Sequence, residues 1–291
     1  MRLGPVPAGG SSPVRIMGVI NASPESFHPG SVKSTPRAAA AAAMAMEEEG
    51  ADIIDVGGMS TAPYLGTMVS EGIELKRVDS TVRAVRGATD LPISVDTCRA
   101  SVARRAMELG AEIINDVTGL NHDPDMAGVI DRYAPSLILC AYANKARTGS
   151  ITETRDILQN SIRLARAAGA DPGGIAVDPA IGFFRPSGRG RLFSRTKADW
   201  AVRDLCILRD LGQLGRRHPV VVSVSAKSFI GEVLGIGDPR DRMPGSLACE
   251  VLAVINGADV IRTHNVQETR RAVGAAAMAP HKAYNTSNGL F

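Results

Sequence analysis

Residues able to do chemistry recur at regular places in this chain. Asn21, Asp55, Asp96, Asn115 with Asp116, Tyr142, Asp178, Ser225 with Lys227, and Arg262 with His264 each stand where a short apolar run stops. Gathered in one mouth, carboxylates, carboxamides, a lysine, an arginine and a histidine suit a particular ligand. A planar heterocycle with an N–C(NH2)–N edge offers parallel donors that a carboxylate accepts together, as it does from arginine. A second carboxylate or a carboxamide takes the adjacent ring donors, and a lysine donates to a ring carbonyl. Arg262 and His264 suit an anionic phosphate. Asn21 offers a neutral oxygen to Mg2+, a hard cation that prefers oxygen ligands. No Ser–His or Cys–His pairing suggests a protein nucleophile. The competing reading is a structural ion network, since buried charge is costly unless paired; it is strongest for Asp55 and Asp116, which could simply brace loops.

The elements that must hold these residues are legible as a repeated phrase. Gly50-Ala-Asp-Ile-Ile-Asp55, Gly110-Ala-Glu-Ile-Ile-Asn115 and Gly257-Ala-Asp-Val-Ile-Arg262 share a pattern, with a looser copy from Gly169 to Asp178. In each, glycine closes a helix and the chain turns into a strand. Runs apolar on both faces suit a parallel sheet covered by helices. Eight strands are expected, at Arg15–Ile20, Asp52–Val56, Pro92–Val95, Glu112–Asn115, Leu137–Ala141, Ile175–Val177, Val220–Val224 and Val260–Arg262. Segments of helical character separate them, among them the alanine-rich stretch opened by Pro36. Eight strand–helix units in about 250 residues is the count of a (β/α)8 barrel, whose active site lies at the C-terminal strand ends. A doubly wound open sheet is the alternative, but the first strand runs into Asn21-Ala-Ser-Pro-Glu25 rather than a glycine-rich phosphate turn.

Composition narrows the classes. The chain has 291 residues, 44% hydrophobic and 22% charged, with a net charge of +3. It is expected to be a single α/β domain, a (β/α)8 barrel over 14–279, between a flexible segment (1–13) and a polar tail (280–291). No basic stripe interleaved with aromatics points to nucleic acid. No apolar run approaches the ~20 residues of a membrane span. Four scattered cysteines, Cys98, Cys140, Cys206 and Cys249, form neither a zinc site nor a disulfide framework. With no signal-peptide core near the N-terminus, a cytoplasmic location is expected. His28, His122 and His218 are isolated and read as surface or loop residues.

Seven of these segments together resemble the dihydropteroate synthase family, the pterin-binding (β/α)8 enzymes. They are Ile16-Met-Gly-Val-Ile-Asn-Ala-Ser-Pro-Glu-Ser-Phe27, Gly50–Gly58 with Ser60-Thr61, Ser94-Val-Asp-Thr97, Ile114-Asn-Asp-Val117, Asp178-Pro-Ala-Ile-Gly-Phe183, Ser225-Ala-Lys-Ser-Phe-Ile-Gly231 and Arg262-Thr-His264. The resemblance implies roles for individual residues. Asp96, Asn115, Asp178 and Lys227 match the pterin-clasping set. Asn21, Thr61, Arg262 and His264 match positions that hold a diphosphate and its Mg2+. Phe183 and Ser225 match the wall against which p-aminobenzoate sits. The implied reaction joins 6-hydroxymethyl-7,8-dihydropterin diphosphate to an arylamine and releases diphosphate. The C–O bond breaks largely first, so Lys227, Arg262 and His264 are the groups expected to steady the charges that develop. A homodimer is the family's habit.

The departures cluster on the diphosphate and acceptor side. Met59-Ser-Thr-Ala62-Pro63 replaces the usual Glu-Ser-Thr-Arg-Pro, Ala226 stands where the family has arginine, and Asn265 replaces an aspartate. Phe184-Arg185 replaces Gly-Lys. The loop that follows is basic, with Arg185, Arg189, Arg191, Arg195 and Lys197. It reads either as a solvated mobile loop or as cations awaiting a phosphate on a larger acceptor, of the methanopterin type. Two other functions compete with the synthase: methyl transfer from a reduced pterin to a corrinoid, and pterin binding without chemistry.

Overall fold

The computed structural model describes residues 1–23, 35–60, 68–190, 192–214 and 217–278. In chain order the elements are β1 (Arg2–Leu3), β2 (Val6–Pro7), β3 (Arg15–Asn21), α1 (Pro36–Glu48), β4 (Ile53–Gly57), α2 (Glu71–Arg86), β5 (Ile93–Asp96), α3 (Ala100–Glu108), β6 (Ile113–Asp116), α4 (Met126–Tyr133) and β7 (Ser136–Cys140). There follow α5 (Ile151–Ala167), β8 (Ile175–Asp178), β9 (Phe184–Arg185), β10 (Ser194–Arg195), α6 (Trp200–Asp210), β11 (Val221–Ser223), α7 (Ser228–Leu234), α8 (Met243–Ile255), β12 (Val260–Thr263) and α9 (Val266–Met278). Eight strands form one parallel sheet in the order β11-β12-β3-β4-β5-β6-β7-β8. A parallel bridge between Val177 and Val220 joins β8 back to the chain entering β11. The sheet is thus closed, a (β/α)8 barrel, and the doubly wound alternative falls.

The Gly-Ala-acid phrase has a physical cause at the bottom of this barrel. Its glycines, Gly50, Gly110 and Gly257, have φ of +93°, +90° and +105°, the left-handed conformation that ends a helix most cheaply without a Cβ. The acid two residues later reaches across to the neighbouring strand. Asp52 accepts the Ile16 N–H at 2.7 Å, Glu112 accepts the Ile93 N–H at 2.8 Å, and Asp259 accepts the Val220 N–H at 2.8 Å. Each acid therefore satisfies a backbone donor at the open end of an adjacent strand, where no ladder partner exists. The looser copy does otherwise, because Asp171 accepts the nearby Gly173 N–H at 2.9 Å.

The strands alternate between two cores. Residues such as Ile54, Val56, Val95, Ile114 and Leu139 face outward and pack under the helices. Met17, Ile53, Ile113, Ile138, Ala176, Val221 and Val260 face inward and fill the lower barrel. That inner layer is sealed from below by residues expected to be a flexible N-terminal segment. Instead β1 and β2 pair antiparallel, Leu3 and Ala8 are fully buried, and both belong to the inner cluster. The correction follows from the architecture. An apolar lumen open at one end would leave its lowest side chains wet, and the hairpin removes that surface from water. The tail at 280–291 lies outside the described residues.

Candidate active site at the upper strand ends

Side chains two residues above the inner apolar layer point into the same lumen, because strand side chains alternate with a period of two. One step up from Ile53 comes Asp55; from Ile113, Asn115; from Ala176, Asp178; and from Val260, Arg262. The polar residues that end each strand thus rest directly on the apolar plug, in a space that water reaches only from above.

Arg262 organises the centre. Its Nε donates to Asp55 Oδ2 at 2.7 Å, and its Nη2 donates to Asp96 Oδ2 at 2.9 Å. The Asn115 amide lies 3.4 Å from Asp55 Oδ2. Asp55 keeps no exposed side-chain surface, whereas Arg262 keeps 16% and Asp96 14%. Asp55 is therefore the buried anchor, and Asp96 and Arg262 present their remaining surface to whatever enters. The loop-brace reading of Asp55 is corrected on this point. It holds for Asp116, which accepts the Thr118 N–H at 2.7 Å, the Thr118 hydroxyl at 2.6 Å and the Leu120 N–H at 3.1 Å.

Across the mouth, Asp178 accepts the Ala180 N–H at 2.7 Å. Lys227 follows β11, donates to the Ile181 carbonyl, and holds its ammonium 4.7 Å from the Phe183 ring centroid. The Ser225 hydroxyl accepts the His264 backbone N–H at 3.3 Å, tying the ends of β11 and β12 together. Asn21 and Asp96 flank Gly57, where a Cβ would stand 3.4 Å from Asn21 Oδ1 and 3.9 Å from Asp96 Oδ2. Behind Thr263, Thr269 donates to buried Glu250 at 2.7 Å and lies 2.9 Å from the Thr263 hydroxyl, which steadies the last strand end.

Electrostatics follow from the shared burial. Burial pushes the Asp96 carboxyl up to about 7; Arg262 opposes this, and the neighbouring Asp55 adds to it. Burial likewise raises Asp178, with Lys227 pulling the other way. Lys227 is the mirror case: burial lowers it and Asp178 holds it up. For Arg262, burial would lower the guanidinium, but Asp55 and Asp96 outweigh that and raise it, so it stays charged. The result is a cation-and-carboxylate ring whose carboxylates lack their usual hydration, an arrangement that favours a donor-rich planar ligand.

The structure brings together Asn21, Asp96, Asn115, Asp178, Phe183, Ser225, Lys227, Arg262 and His264 around one mouth. Thr61 and Ala62 lie outside the described residues. The basic loop after β8 is corrected in part. β9 and β10 pair in parallel, the Ser194 hydroxyl accepts the Ala143 N–H at 2.9 Å, and Arg185 is buried while Arg189, Arg195 and Lys197 are exposed. His218 lies in the loop before β11, as expected, but is buried rather than at the surface, its Nδ1 3.1 Å from the Ile175 carbonyl. His28 and Arg191 fall outside the described residues.

Residues 17–264 match the family of pterin binding enzymes. The chain belongs to that family. It is 35% identical over 261 residues to the dihydropteroate synthase of Synechocystis sp., covering 87% of this chain and 85% of that protein. It is also 35% identical over 278 residues to the inactive dihydropteroate synthase 2 of Mycobacterium leprae, covering 90% and 89%. Among solved structures, the dihydropteroate synthase of Coxiella burnetii in complex with pteroic acid aligns with a TM-score of 0.79 at 33% identity, over 91% of this chain and 93% of the other. Among the described residues no helix is long and apolar enough to cross a membrane.

Proposed function

We propose that this protein is a dihydropteroate synthase-type transferase that condenses a 6-hydroxymethyl-7,8-dihydropterin diphosphate with p-aminobenzoate or a related arylamine. The observation that carries the reading is the pairing of two desolvated carboxylates, Asp96 and Asp178, with Lys227 and Asn115 around one mouth. A pterin's N–C(NH2)–N edge donates to a carboxylate in a bidentate pair, the neighbouring ring donors go to the second carboxylate and to Asn115, and Lys227 donates to the ring carbonyl. The arylamine nitrogen then bonds to the pterin methylene carbon. The C–O bond to diphosphate breaks with its electron pair staying on oxygen, and the nitrogen's proton passes to solvent. Arg262, held between Asp55 and Asp96 with part of its surface open, and His264 at the same rim steady the negative charge that gathers on the leaving group.

Mg2+ belongs to this reading. Among the described residues no group of three or more His, Cys, Asp or Glu could cage a metal. Mg2+ needs no such cage, since it takes one or two protein oxygens and completes its shell with phosphate and water. Asn21 would supply the protein oxygen, and the bound ion would neutralise charge on the diphosphate.

A homodimer is supported by apolar surface on neighbouring helices. Val202 and Leu205 on α6, Val233 and Leu234 on α7, and Leu252 and Ile255 on α8 are all exposed. Such surface on adjoining helices suits a second copy of the chain.

Non-catalytic pterin binding is the second reading, favoured by Ala226 where the family carries arginine and by the likeness to an inactive relative. The test is diphosphate release from the pterin diphosphate with p-aminobenzoate and a panel of arylamines, with and without Mg2+. Mg2+-dependent turnover is expected. Tight pterin binding with no turnover for any amine would refute the transferase and leave the second reading.

A further inference from the structure

The turn after β8 is gripped by an ion pair on α6. Arg203 and Asp204 are both buried, and Arg203 Nη1 donates to Asp204 Oδ1 at 2.9 Å. A guanidinium carries five N–H groups, and here all five have an acceptor. Nε donates to the Gly149 carbonyl at 3.0 Å, and Nη1 also donates to the Ala180 carbonyl at 3.1 Å. Nη2 donates to the Pro179 carbonyl at 2.9 Å and to the Thr154 hydroxyl at 3.2 Å. The Phe184 ring centroid lies 4.0 Å from Arg203 Cζ, which fixes the plane of the fork. Asp204 completes the grip, because its Oδ2 accepts the Gly182 N–H at 2.9 Å. The pair thus holds Pro179, Ala180 and Gly182, and the carbonyl of the remaining loop residue, Ile181, accepts from Lys227.

Stability alone is a poor reason for such a pair, since buried ion pairs often contribute no more than apolar residues of similar volume. The conformation it holds is a better one. Ala180 has φ +60°, a left-handed conformation that a residue with a Cβ adopts only at a cost. Its peptide groups are tied at both ends. The Ala180 N–H donates to Asp178 Oδ1 at 2.7 Å, and the Ala180 carbonyl accepts from Arg203 and from the Phe183 N–H at 3.1 Å. We propose that Arg203, with Asp204, is a positioning residue for the pterin clasp: it holds the left-handed turn at Ala180 that fixes the Asp178 carboxylate and presents the Ile181 carbonyl to Lys227. The proposal rests on the transferase reading for its ligand. Both residues act through the backbone of the turn. Without the fork, Ala180 relaxes out of the left-handed region, its N–H leaves Asp178, and Lys227 loses its acceptor. The carboxylate and the ammonium then meet a pterin only in the fraction of molecules whose turn is still formed.

The test uses the full chain, with titration calorimetry of 6-hydroxymethylpterin and amide hydrogen exchange of the ligand-free protein. Arg203→Lys keeps a positive charge beside Asp204 and loses the planar fork, so it is milder than Arg203→Met, which strands a buried carboxylate. If the freed turn forms about a tenth of the time, pterin affinity falls ~10-fold, since apparent affinity scales with the competent fraction. Exchange at Ala180, Gly182 and Phe183 should quicken by a similar factor, with the barrel strands unchanged. Adding Ala180→Gly should recover part of the affinity, because glycine takes the left-handed conformation freely. Unchanged affinity or unchanged exchange at the turn in Arg203→Lys overturns the proposal. So does a lower affinity accompanied by faster exchange throughout the barrel, which would mark Arg203 as merely structural, or a loss that Ala180→Gly does not recover. Local quickening at the turn in a protein whose wild type binds no pterin would leave Arg203's hold on the turn standing and refute the pterin reading instead.

Discussion

Replacing Asp96 by asparagine tests the core of the site. The side chain keeps its shape, so packing around Gly57 and Asn21 is preserved. What changes is charge: Arg262 loses its 2.9 Å contact to a carboxylate and keeps Asp55. A hydrogen bond to a charged group contributes about 1.5–3 kcal/mol, so pterin affinity should fall roughly 10- to 150-fold. The pH dependence sharpens the test. Asp96 titrates at about 7 because burial disfavours its ionised form. An ionised carboxylate accepts ring donors on both oxygens, whereas the protonated acid turns one oxygen into a donor. Wild-type affinity should therefore rise as pH increases through 7 and fall by up to ~10-fold per pH unit below it. The same shift acts on stability with the opposite sense. A carboxyl whose pKa is raised on folding holds more protons in the native state between its unfolded value and 7, so its contribution to stability declines across that window as pH rises. Calorimetric titration of 6-hydroxymethylpterin from pH 5.5 to 8.5 reads both parts. Asp96→Asn should show weak binding with a flattened pH profile. Wild-type affinity in the variant, or an unchanged profile, would refute the placing of Asp96 among the pterin-binding groups.

Further predictions concern the parts that hold the site in place. Leu3→Ala should cost about 2–5 kcal/mol, read as a lower urea midpoint, because Leu3 is fully buried in the same inner cluster as Ile138 and Ala176 of the strands its hairpin meets, β7 and β8; an unchanged midpoint would mean the hairpin does not seal the barrel in solution. Gly182→Ala should lose about 1–2 kcal/mol of stability from its φ of +85°. It should weaken pterin binding as well, since the new Cβ would meet Lys227 Cδ at 2.7 Å and displace that side chain. A variant with wild-type pterin affinity would show that Lys227 does not need its present position.

Much of this was readable before any coordinates. The Gly-Ala-acid phrase placed its strands to within a residue or so, because one short motif performs two local tasks, ending a helix and opening a strand. The strand count led to a barrel, and the stop residues led to a single mouth. Each of those inferences is local or periodic, and local chemistry is written in the order of residues. Other features depend on who meets whom across the fold. Asp55 stood among the strand-end residues with a loop brace as its competing reading, since nothing near it in the chain announces a partner 207 residues away at Arg262. The opening residues looked loose because prolines and glycines do not form a core by themselves; a lumen assembled from β3, β4, β6, β7, β8, β11 and β12 gave Leu3 a place to be buried. Arg185 read as one cation in a basic loop. Only the packing of β9 against α6 and α7 set it on Trp200 and Ser228. The sequence by itself determined which strands form and which polar residues end them. The tertiary structure decided which charges meet, because pairing depends on distances that chain order does not contain.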